Sequence, residues 1–370
     1  MSHSPVRRVV FVATLAILLP AFAAAQHYHR TDLTTDASTT SPTAPTVDPD
    51  LVNPWGLSRG SGSPWWVSDN GTGLSTLYTG TGAKVLLGGT QDAVKIPTPD
   101  GTGTAAPTGT VVNTTSGFLV GPNAKAFFIF VTEDGTISGW NPTVSPNAVL
   151  LKNRAGRAIY KGCALANIGT RSFLYVTNFQ SGQVEMWDTN MTRINPGNRT
   201  MFRLPGLSDS WSPFNIQNVG GNLVVTFAHR APGSRDEDHG VGLGHVGIFD
   251  AAGHLLARLA DGGWFNAPWG VALAPGDFGS FTHRLLIGNF GDGTIHAFDL
   301  FTGKHLGAML DDTTSMPISI NGLWAISFGG DSTTNGNATT LYFSAGTNDE
   351  ANGTFGSLTP SSIEQPGNSQ

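Results

Sequence analysis

Short apolar runs separated by polar turns follow one another along most of the chain, and they recur in sets of three or four. A first run opens on a small or turn-forming residue, as in PWGLS (54–58) and PWGVALA (268–274). A second run ends on polar residues, as in WWVSDN (65–70), and a third ends on an aromatic residue and Asp, as in GQVEMWD (182–188). Runs of this length with turns between them predict β-strands, and no amphipathic helical pattern interrupts them.

The set of strands repeats six times over residues 51–360, with about 45 to 65 residues between successive second strands. Units of this size with up to four strands are typical of propeller blades. We therefore predict an all-β protein that folds as a six-bladed β-propeller. A large β-sandwich is the alternative architecture, but it does not require the strand sets to restart after similar turns.

The ring is expected to close through the N-terminal part of the chain. The sixth unit runs out after three strands, near residues 352–360, whereas HYHRTDLTTDA (27–37) alternates in polarity before the first unit. Pairing these two segments would complete the last blade and remove an open sheet edge. We assign residues 26–50 to this closing strand and a linker, 51–360 to the propeller and 361–370 to a disordered tail.

Residues 1–25 have the pattern of a signal peptide. Arg7 and Arg8 precede a short apolar run, and small residues follow it, so cleavage is predicted after Ala25. A membrane anchor is the alternative, but the run is short for a bilayer span. We predict an exported, periplasmic or extracellular protein with no membrane span after cleavage. The choice between general and twin-arginine export stays open.

Composition narrows the possible partners. Charged residues make up 12% of the chain, and 20 Lys+Arg face 26 Asp+Glu. Removal of the two leader arginines leaves 18 cations and a net charge of −8, which disfavours nucleic acid and anionic lipid as partners. The single Cys163 is predicted to be a buried apolar residue. We expect a monomer.

Propeller topology collects the candidate ligand-binding residues on one face. The loop that enters the first strand of each blade and the loop that leaves the second strand emerge together, at the mouth of the central channel. Pro-Trp-Gly occurs at the start of two first strands, at residues 54–56 and 268–270, and we call these turns the PWG corners. The sequence places on this face the two PWG tryptophans and a set of polar residues: Trp55, Asp69, Asn70, Glu133, Asn178, His229, Trp269, Asn289 and Asn321.

The longest insertion on this face is HRAPGSRDEDHGVGLG (229–244), which we call the blade-four loop. Its clustered side chains, Asp236, Glu237, Asp238 and His239, form a candidate metal site, because carboxylates suit Ca²⁺ and a nearby histidine admits a transition metal. A solvated loop tip is the alternative.

Several motifs together resemble a known family. NPWGLS, FVTEDGTISGWNP, LYVTNFQSGQVEMWD, NAPWGVALAPGDFG and LLIGNFGDGTIHAFD resemble an uncharacterised family of exported bacterial proteins, itself similar to NHL-repeat six-bladed propellers. The resemblance covers nearly all of residues 27–358. It implies the propeller fold and export, and it assigns no activity or catalytic residue.

We therefore predict a secreted or periplasmic binding module that holds a carbohydrate, a peptide or a cell-surface protein at the channel mouth. The alternative is a divalent-cation-assisted hydrolase or lyase, similar to lactonases, that uses carboxylates at the mouth. A purely structural scaffold is a third possibility. No Ser-His-Asp or His-Glu-x-x-His arrangement supports a particular reaction.

Overall fold

The computed structural model describes residues 27–198 and 200–361. The predicted signal peptide, and all of the predicted tail except Ser361, lie outside the described residues. In the described part of the chain, nothing helical has the length and apolar character that a bilayer crossing requires. Residues 27–198 and 200–361 contain 27 β-strands and one 3₁₀ turn, Gly279–Phe281.

Six sheets follow one another along the chain. The first strands of the described residues are β1 (His27–Thr35) and β2 (Thr46–Val47). Blade one contains β3 (Pro54–Ser58), β4 (Trp65–Asp69), β5 (Leu74–Tyr78) and β6 (Ala93–Lys95). Blade two contains β7 (Pro107–Val112), β10 (Phe128–Thr132), β11 (Thr136–Trp140) and β12 (Val149–Asn153), with a small hairpin, β8 (Leu119–Gly121) and β9 (Ala124–Lys125), inserted.

The remaining blades repeat this order. Blade three has β13 (Tyr160–Ile168), β14 (Arg171–Asn178) and β15 (Gln183–Asp188). Blade four has β16 (Trp211–Val219), β17 (Asn222–His229), β18 (His245–Phe249) and β19 (Leu255–Arg258). Blade five has β20 (Pro268–Leu273), β21 (Leu285–Asn289), β22 (Ile295–Phe298) and β23 (His305–Ala308), and a short β24 (Leu310–Asp311) follows.

The last blade confirms the predicted closure. It contains β25 (Leu323–Phe328), β26 (Leu341–Ala345) and β27 (Thr354–Pro360), and β1 adds to it as the outer strand. The pairing is antiparallel and runs from Tyr28 opposite Pro360 to Thr35 opposite Thr354. The N-terminal strand therefore fills the edge that the last blade would otherwise expose. The fold is the predicted six-bladed propeller.

The PWG corners explain how the blades fit together at the centre. In every blade the pairing of the first and second strands shifts register at this corner or at the equivalent position. In blade one the shift lies between Pro54 and Leu57, and in blade five between Pro268 and Gly270. A Cβ atom on Gly56 would lie 2.6 Å from the carbonyl oxygen of Thr108 in the next blade. Glycine is thus required because neighbouring first strands approach backbone to backbone.

Hydroxyl groups on the second strands tie neighbouring blades together. Ser344 in blade six accepts a hydrogen bond from the Ala325 amide of its own blade (3.2 Å) and donates to the Trp55 carbonyl of blade one (2.6 Å). Thr177 makes the same connection from blade three to Phe214 in blade four. The larger apolar clusters lie between adjacent blades; one of them packs Val131 of blade two against Val176 of blade three.

Candidate functional site

Six side chains, one from each blade, form a layer across the central channel. Each is the residue that follows the corner at the start of the first strand, and they are spaced 53 to 55 residues apart in the sequence. We call this set the channel layer; its members are Trp55, Thr108, Lys161, Phe214, Trp269 and Trp324.

Aromatic rings fill the channel at this level. The ring of Trp55 stacks on that of Trp324 with 3.5 Å between centroids, and it contacts Phe214 and Trp269 edge-on. Since Phe214 belongs to blade four, opposite blade one, these rings meet across the centre. Trp55 is only 2% exposed. A ligand on the mouth face therefore meets an apolar floor.

Lys161 is the charged member of the channel layer. Its ammonium group lies 4.9 Å above the Trp55 ring and 5.4 Å from that of Phe179, and the residue is 1% exposed. Nζ contacts the Glu133 carboxylate at 2.6 Å and Glu237 of the blade-four loop at 3.7 Å. Burial lowers the pKa of Lys161, but these carboxylates outweigh it and hold the pKa above its usual value. The amine is therefore a fixed positive charge rather than a nucleophile.

A cavity of about 240 Å³ opens above this floor, between blades five and six and the blade-four loop. We call it the mouth pocket. It is lined by His239, Phe290, Gly291, Asn321, Gly322, Gly346, Asp349 and Glu350. The ring of Phe290 stacks on Trp324 at 3.9 Å, so Phe290, Trp324 and Trp55 form one column from the pocket to the channel layer.

The segment that carries the pocket carboxylates has an uncommon backbone. Asn348, Asp349 and Glu350 have φ angles of 55°, 50° and 65°, in the left-handed region that non-glycine residues rarely adopt. Each such residue costs of order 1 kcal/mol, and strain of this kind is found preferentially at functional sites. The Asn321 side chain accepts the Asn348 amide at 2.9 Å and so helps to hold the turn.

Glu350 connects the pocket to the first PWG corner. Its carboxylate accepts a hydrogen bond from the Asn53 amide group at 2.6 Å, and Asn53 in turn accepts from the Trp324 indole at 3.0 Å. Burial and the nearby charge of Glu237 raise the pKa of Glu350 to about 7. This carboxyl group can therefore gain or lose a proton near neutral pH.

His239 occupies the opposite side of the pocket. Its ring meets the Phe290 ring edge-on at 5.0 Å, and Nε2 lies 3.6 Å from the Glu237 carboxylate. Glu237 raises the pKa of His239 above its usual value. Burial raises the pKa of Glu237, but the charge of Lys161 and the interactions with His239 and the backbone together outweigh it, and the net pKa is lowered. The pocket thus combines an aromatic surface, a histidine and carboxylates.

Three predicted polar residues are buried at the ends of second strands. Asp69 accepts the Thr76 amide at 2.9 Å, and burial raises its pKa well above the usual value. Asn178 accepts the amide of Ser181, and Asn289 donates to the Trp264 carbonyl. Each is fully buried, so these side chains brace the loops beneath the mouth face.

The other candidates have different positions. Trp55 and Trp269 belong to the channel layer, where both are buried. Asn70 donates to Glu133 at 3.1 Å, beside Lys161. His229 pairs with Asp238 at 2.6 Å, and its ring packs edge-on against Trp211. Among the nine ligand-binding candidates, Asn321 is the one that lines the mouth pocket.

The carboxylates among the metal candidates of the blade-four loop lie near basic side chains. Glu237 faces Lys161, Asp238 pairs with His229, and Asp236 is largely exposed. Within residues 27–198 and 200–361, no three His, Cys, Asp or Glu side chains are grouped so as to hold a metal ion. His239 is the member of this set that lines the pocket.

Sequence reasoning did not single out Lys161, Phe290 or Glu350. Lys161 could have been found from the repeat, because it lies 53 residues after Thr108 and 53 residues before Phe214, which occupy the same position in their blades. Glu350 gives no such signal, since its position depends on a left-handed turn without glycine.

Together the fold and the pocket define a six-bladed propeller with a ligand-sized cavity at one channel mouth. No protein-family model matches the chain. The chain is 31% identical to "Uncharacterized protein R648" of Acanthamoeba polyphaga mimivirus over 289 residues, 75% of this chain and 68% of the viral protein. It is 29% identical to "Uncharacterized protein L690" of the same virus, over 84% of this chain and 81% of that protein. The chain belongs to the family of these uncharacterised mimivirus proteins.

Solved structures support the fold. Virginiamycin B lyase from Staphylococcus aureus covers 90% of this chain and 99% of its own, with 10% identity and a TM-score of 0.51. A Bacteroides thetaiotaomicron protein of unknown function covers 90% of this chain and 76% of its own, with 10% identity and a TM-score of 0.54. A glucose dehydrogenase covers 85% of this chain and 97% of its own, with 12% identity and a TM-score of 0.51. These neighbours include enzymes, and at such identity they are similar in fold alone. The bacterial source, the NHL subtype and export stay predictions.

Proposed function

We propose that this protein is a binding module that holds a small polar organic ligand, about the size of one sugar ring, in the mouth pocket. The observation that carries the proposal is the convergence of Asn321, Asp349 and Glu350 around the Phe290 ring in a single cavity. A few polar groups in a partly apolar cavity are typical of ligand sites.

The pocket chemistry favours a carbohydrate among the predicted ligand classes. An amide and two carboxyl groups can hydrogen-bond several hydroxyl groups, while an aromatic ring packs against an apolar face. The volume of about 240 Å³ is smaller than the roughly 300–1,000 Å³ of pockets for drug-sized ligands. One ring, either free or at the end of a chain, fits this size. Export would expose the pocket to extracellular saccharides.

A panel of mono- and disaccharides tests the proposal. Binding is measured by ligand-observed NMR and by the shift in melting temperature. We expect at least one saccharide to bind, and we expect Asp349→Ala and Glu350→Gln to weaken it. Asp92→Asn removes an equal charge from an exposed site in blade one and serves as the matched control. Binding that is equal in all four proteins would contradict a role for the mouth pocket.

A hydrolase or lyase activity is the second candidate, and the pKa of about 7 at Glu350 supports it. A carboxyl group that titrates near the working pH can act as a general acid or base. The divalent-cation version of this hypothesis would need carboxylates that are now engaged by Lys161 and His229. Product release from oligosaccharides or lactones, lost in Glu350→Gln but not in Asp92→Asn, would support an enzyme; turnover that persists in Glu350→Gln would contradict it.

A further inference from the structure

The mouth pocket has more negative than positive groups available to a ligand. Asp349 and Glu350 line it, and Glu350 also experiences the negative charges of Glu237 and Glu133 and the opposing charge of Lys161. Lys161 is buried and its ammonium already contacts Glu133 at 2.6 Å. His239 is the basic residue among the lining side chains. A bound cation would therefore meet attraction that the protein itself does not satisfy.

A buried oxygen beside the pocket supports this imbalance. The side chain of Glu237 is 4% exposed, and among the described residues no hydrogen-bond donor reaches its Oε2 atom. Lys161 Nζ lies 3.7 Å from it, and His239 Nε2 lies 3.6 Å from the other oxygen, Oε1. A buried carboxylate without full pairing is costly, and a positive charge placed nearby lowers that cost.

The aromatic wall of the pocket also suits a cation. Phe290 lines the cavity and stacks on Trp324, which stacks on Trp55. An ammonium group near an aromatic face is attracted by the ring quadrupole. This protein already uses that interaction one level below, where Lys161 lies above the Trp55 ring.

Resting on the proposed function, we infer that the ligand of the mouth pocket carries a cationic nitrogen, as in an amino sugar with a free amine. The ammonium group lies between Asp349 and Glu350 beside Phe290, and the ring hydroxyls bond Asn321. A neutral ring leaves both carboxyl groups without a counter-charge. Because the pKa of Glu350 is about 7, binding of the cation also releases a proton near neutral pH.

Matched pairs of probes test the charge requirement. Glucosamine against glucose, and cyclohexylamine against cyclohexanol, differ chiefly in one amine. We expect calorimetric titration of the full chain to give at least tenfold tighter binding for at least one amine than for its neutral partner. Glu350→Gln should remove that preference, whereas Asp92→Asn should keep it. Affinity for the amine should rise between pH 6 and pH 7.5 in the unsubstituted protein, since Glu350 ionises over that range.

The outcomes separate this inference from the proposed function. Equal binding of amine and alcohol at the pocket overturns the inference and leaves the binding function supported. Failure of both amines to bind overturns the inference, and the saccharide panel then decides the function by itself. An amine preference that survives Glu350→Gln and Asp349→Asn also overturns it, because the charge would then be recognised elsewhere.

Discussion

The channel layer and the mouth pocket lie next to each other, but they are built in opposite ways. The channel layer takes one residue from the same position of every blade, and close packing of neighbouring first strands fixes that position. The mouth pocket takes its residues from loops of blades four, five and six, and no two of these loops are alike. The repeat makes the scaffold, and departures from the repeat supply the chemistry.

Lys161 shows the principle inside the layer itself. Five of the six blades place an aromatic residue or threonine at this position, and blade three places a lysine. That charge holds Glu133 and the blade-four loop over the channel. A single break in the repeat thus joins the scaffold to the mouth.

The largest effect is expected from Lys161→Met. Removal of the ammonium leaves Glu133 and buried Glu237 without their cation, which costs about 3–5 kcal/mol of unfolding free energy at pH 7. Urea denaturation measures this loss. Since an unpaired buried Glu237 would have a raised pKa, the deficit should shrink as the pH falls and the carboxyl group is protonated.

A double-mutant cycle with Glu237→Gln serves as the control for Lys161→Met. The second substitution should recover part of the stability because it removes the stranded charge. Losses that simply add would show that Lys161 and Glu237 do not interact, and the proposed link between layer and loop would fail.

The scaffold is tested next by Gly56→Val. The added side chain would collide with the Thr108 carbonyl and the Thr110 amide, which are backbone atoms that cannot move aside. We expect a loss of about 3 kcal/mol. Gly62→Ala is the matched control, because a Cβ atom there meets nothing within 4 Å. If both variants melt alike, close packing at the corner is not what the repeated glycine provides.

Titration separates the scaffold from the mouth pocket in a third way, through the outer strands of blade five. His296 and His305 lie on neighbouring strands of blade five, with ring nitrogens 3.0 Å apart. Burial and the neighbouring histidine lower the pKa of His296 to about 4. Because the folded state favours neutral His296, its contribution is complete above pH 6.5 and is lost as the pH falls toward 4.

The expected loss is on the order of 2 kcal/mol, and a comparison of unfolding free energies at pH 7 and pH 4.5 measures it. In His296→Asn the part of the pH dependence that this residue causes should disappear. Glu350→Gln should leave that part unchanged, since Glu350 acts at the mouth. An unchanged pH profile in His296→Asn would contradict the assignment.

The scaffold could be predicted from the sequence because the strand pattern of a blade is repeated six times. The PWG corners, the six strand sets and the closing strand all follow from that repetition. The first strands of blades two and four, PTGTVV (107–112) and WSPFNIQNV (211–219), are harder to recognise because they lack the Pro-Trp-Gly sequence of blades one and five. The spacing of 53 to 55 residues between the six members of the channel layer would have identified both.

The site was predicted less completely, for a physical reason. Topology correctly indicates which loop ends share a face, but it does not say which side chains turn inward. Asp69, Asn178 and Asn289 end second strands and brace their own loops, whereas Asn321 reaches the cavity. Glu350 reaches the cavity because Asn348, Asp349 and Glu350 adopt left-handed φ angles. These residues include no glycine, so the sequence does not indicate the turn.

The turn at Asn348, Asp349 and Glu350 gives the last test of the comparison between scaffold and mouth pocket, and the smallest expected effect. In the scaffold, a left-handed position such as Gly169 (φ 58°) is occupied by glycine, and a Cβ atom there would meet nothing within 4 Å. At the mouth, Glu350 (φ 65°) carries a full side chain. Gly169→Ala should therefore lose about 1 kcal/mol of stability through backbone strain alone.

At Glu350 glycine should again be more stable than alanine, although the protein itself carries neither residue there. Glu350→Gly and Glu350→Ala both remove the carboxylate and its bond to Asn53, so they differ only in the Cβ atom. The glycine variant should be more stable than the alanine variant by about 0.5–1 kcal/mol, and both should lose ligand affinity. Equal melting of the two would mean that the turn carries no strain. A more stable glycine variant that no longer binds would show that this turn retains strain because the carboxylate must point into the pocket.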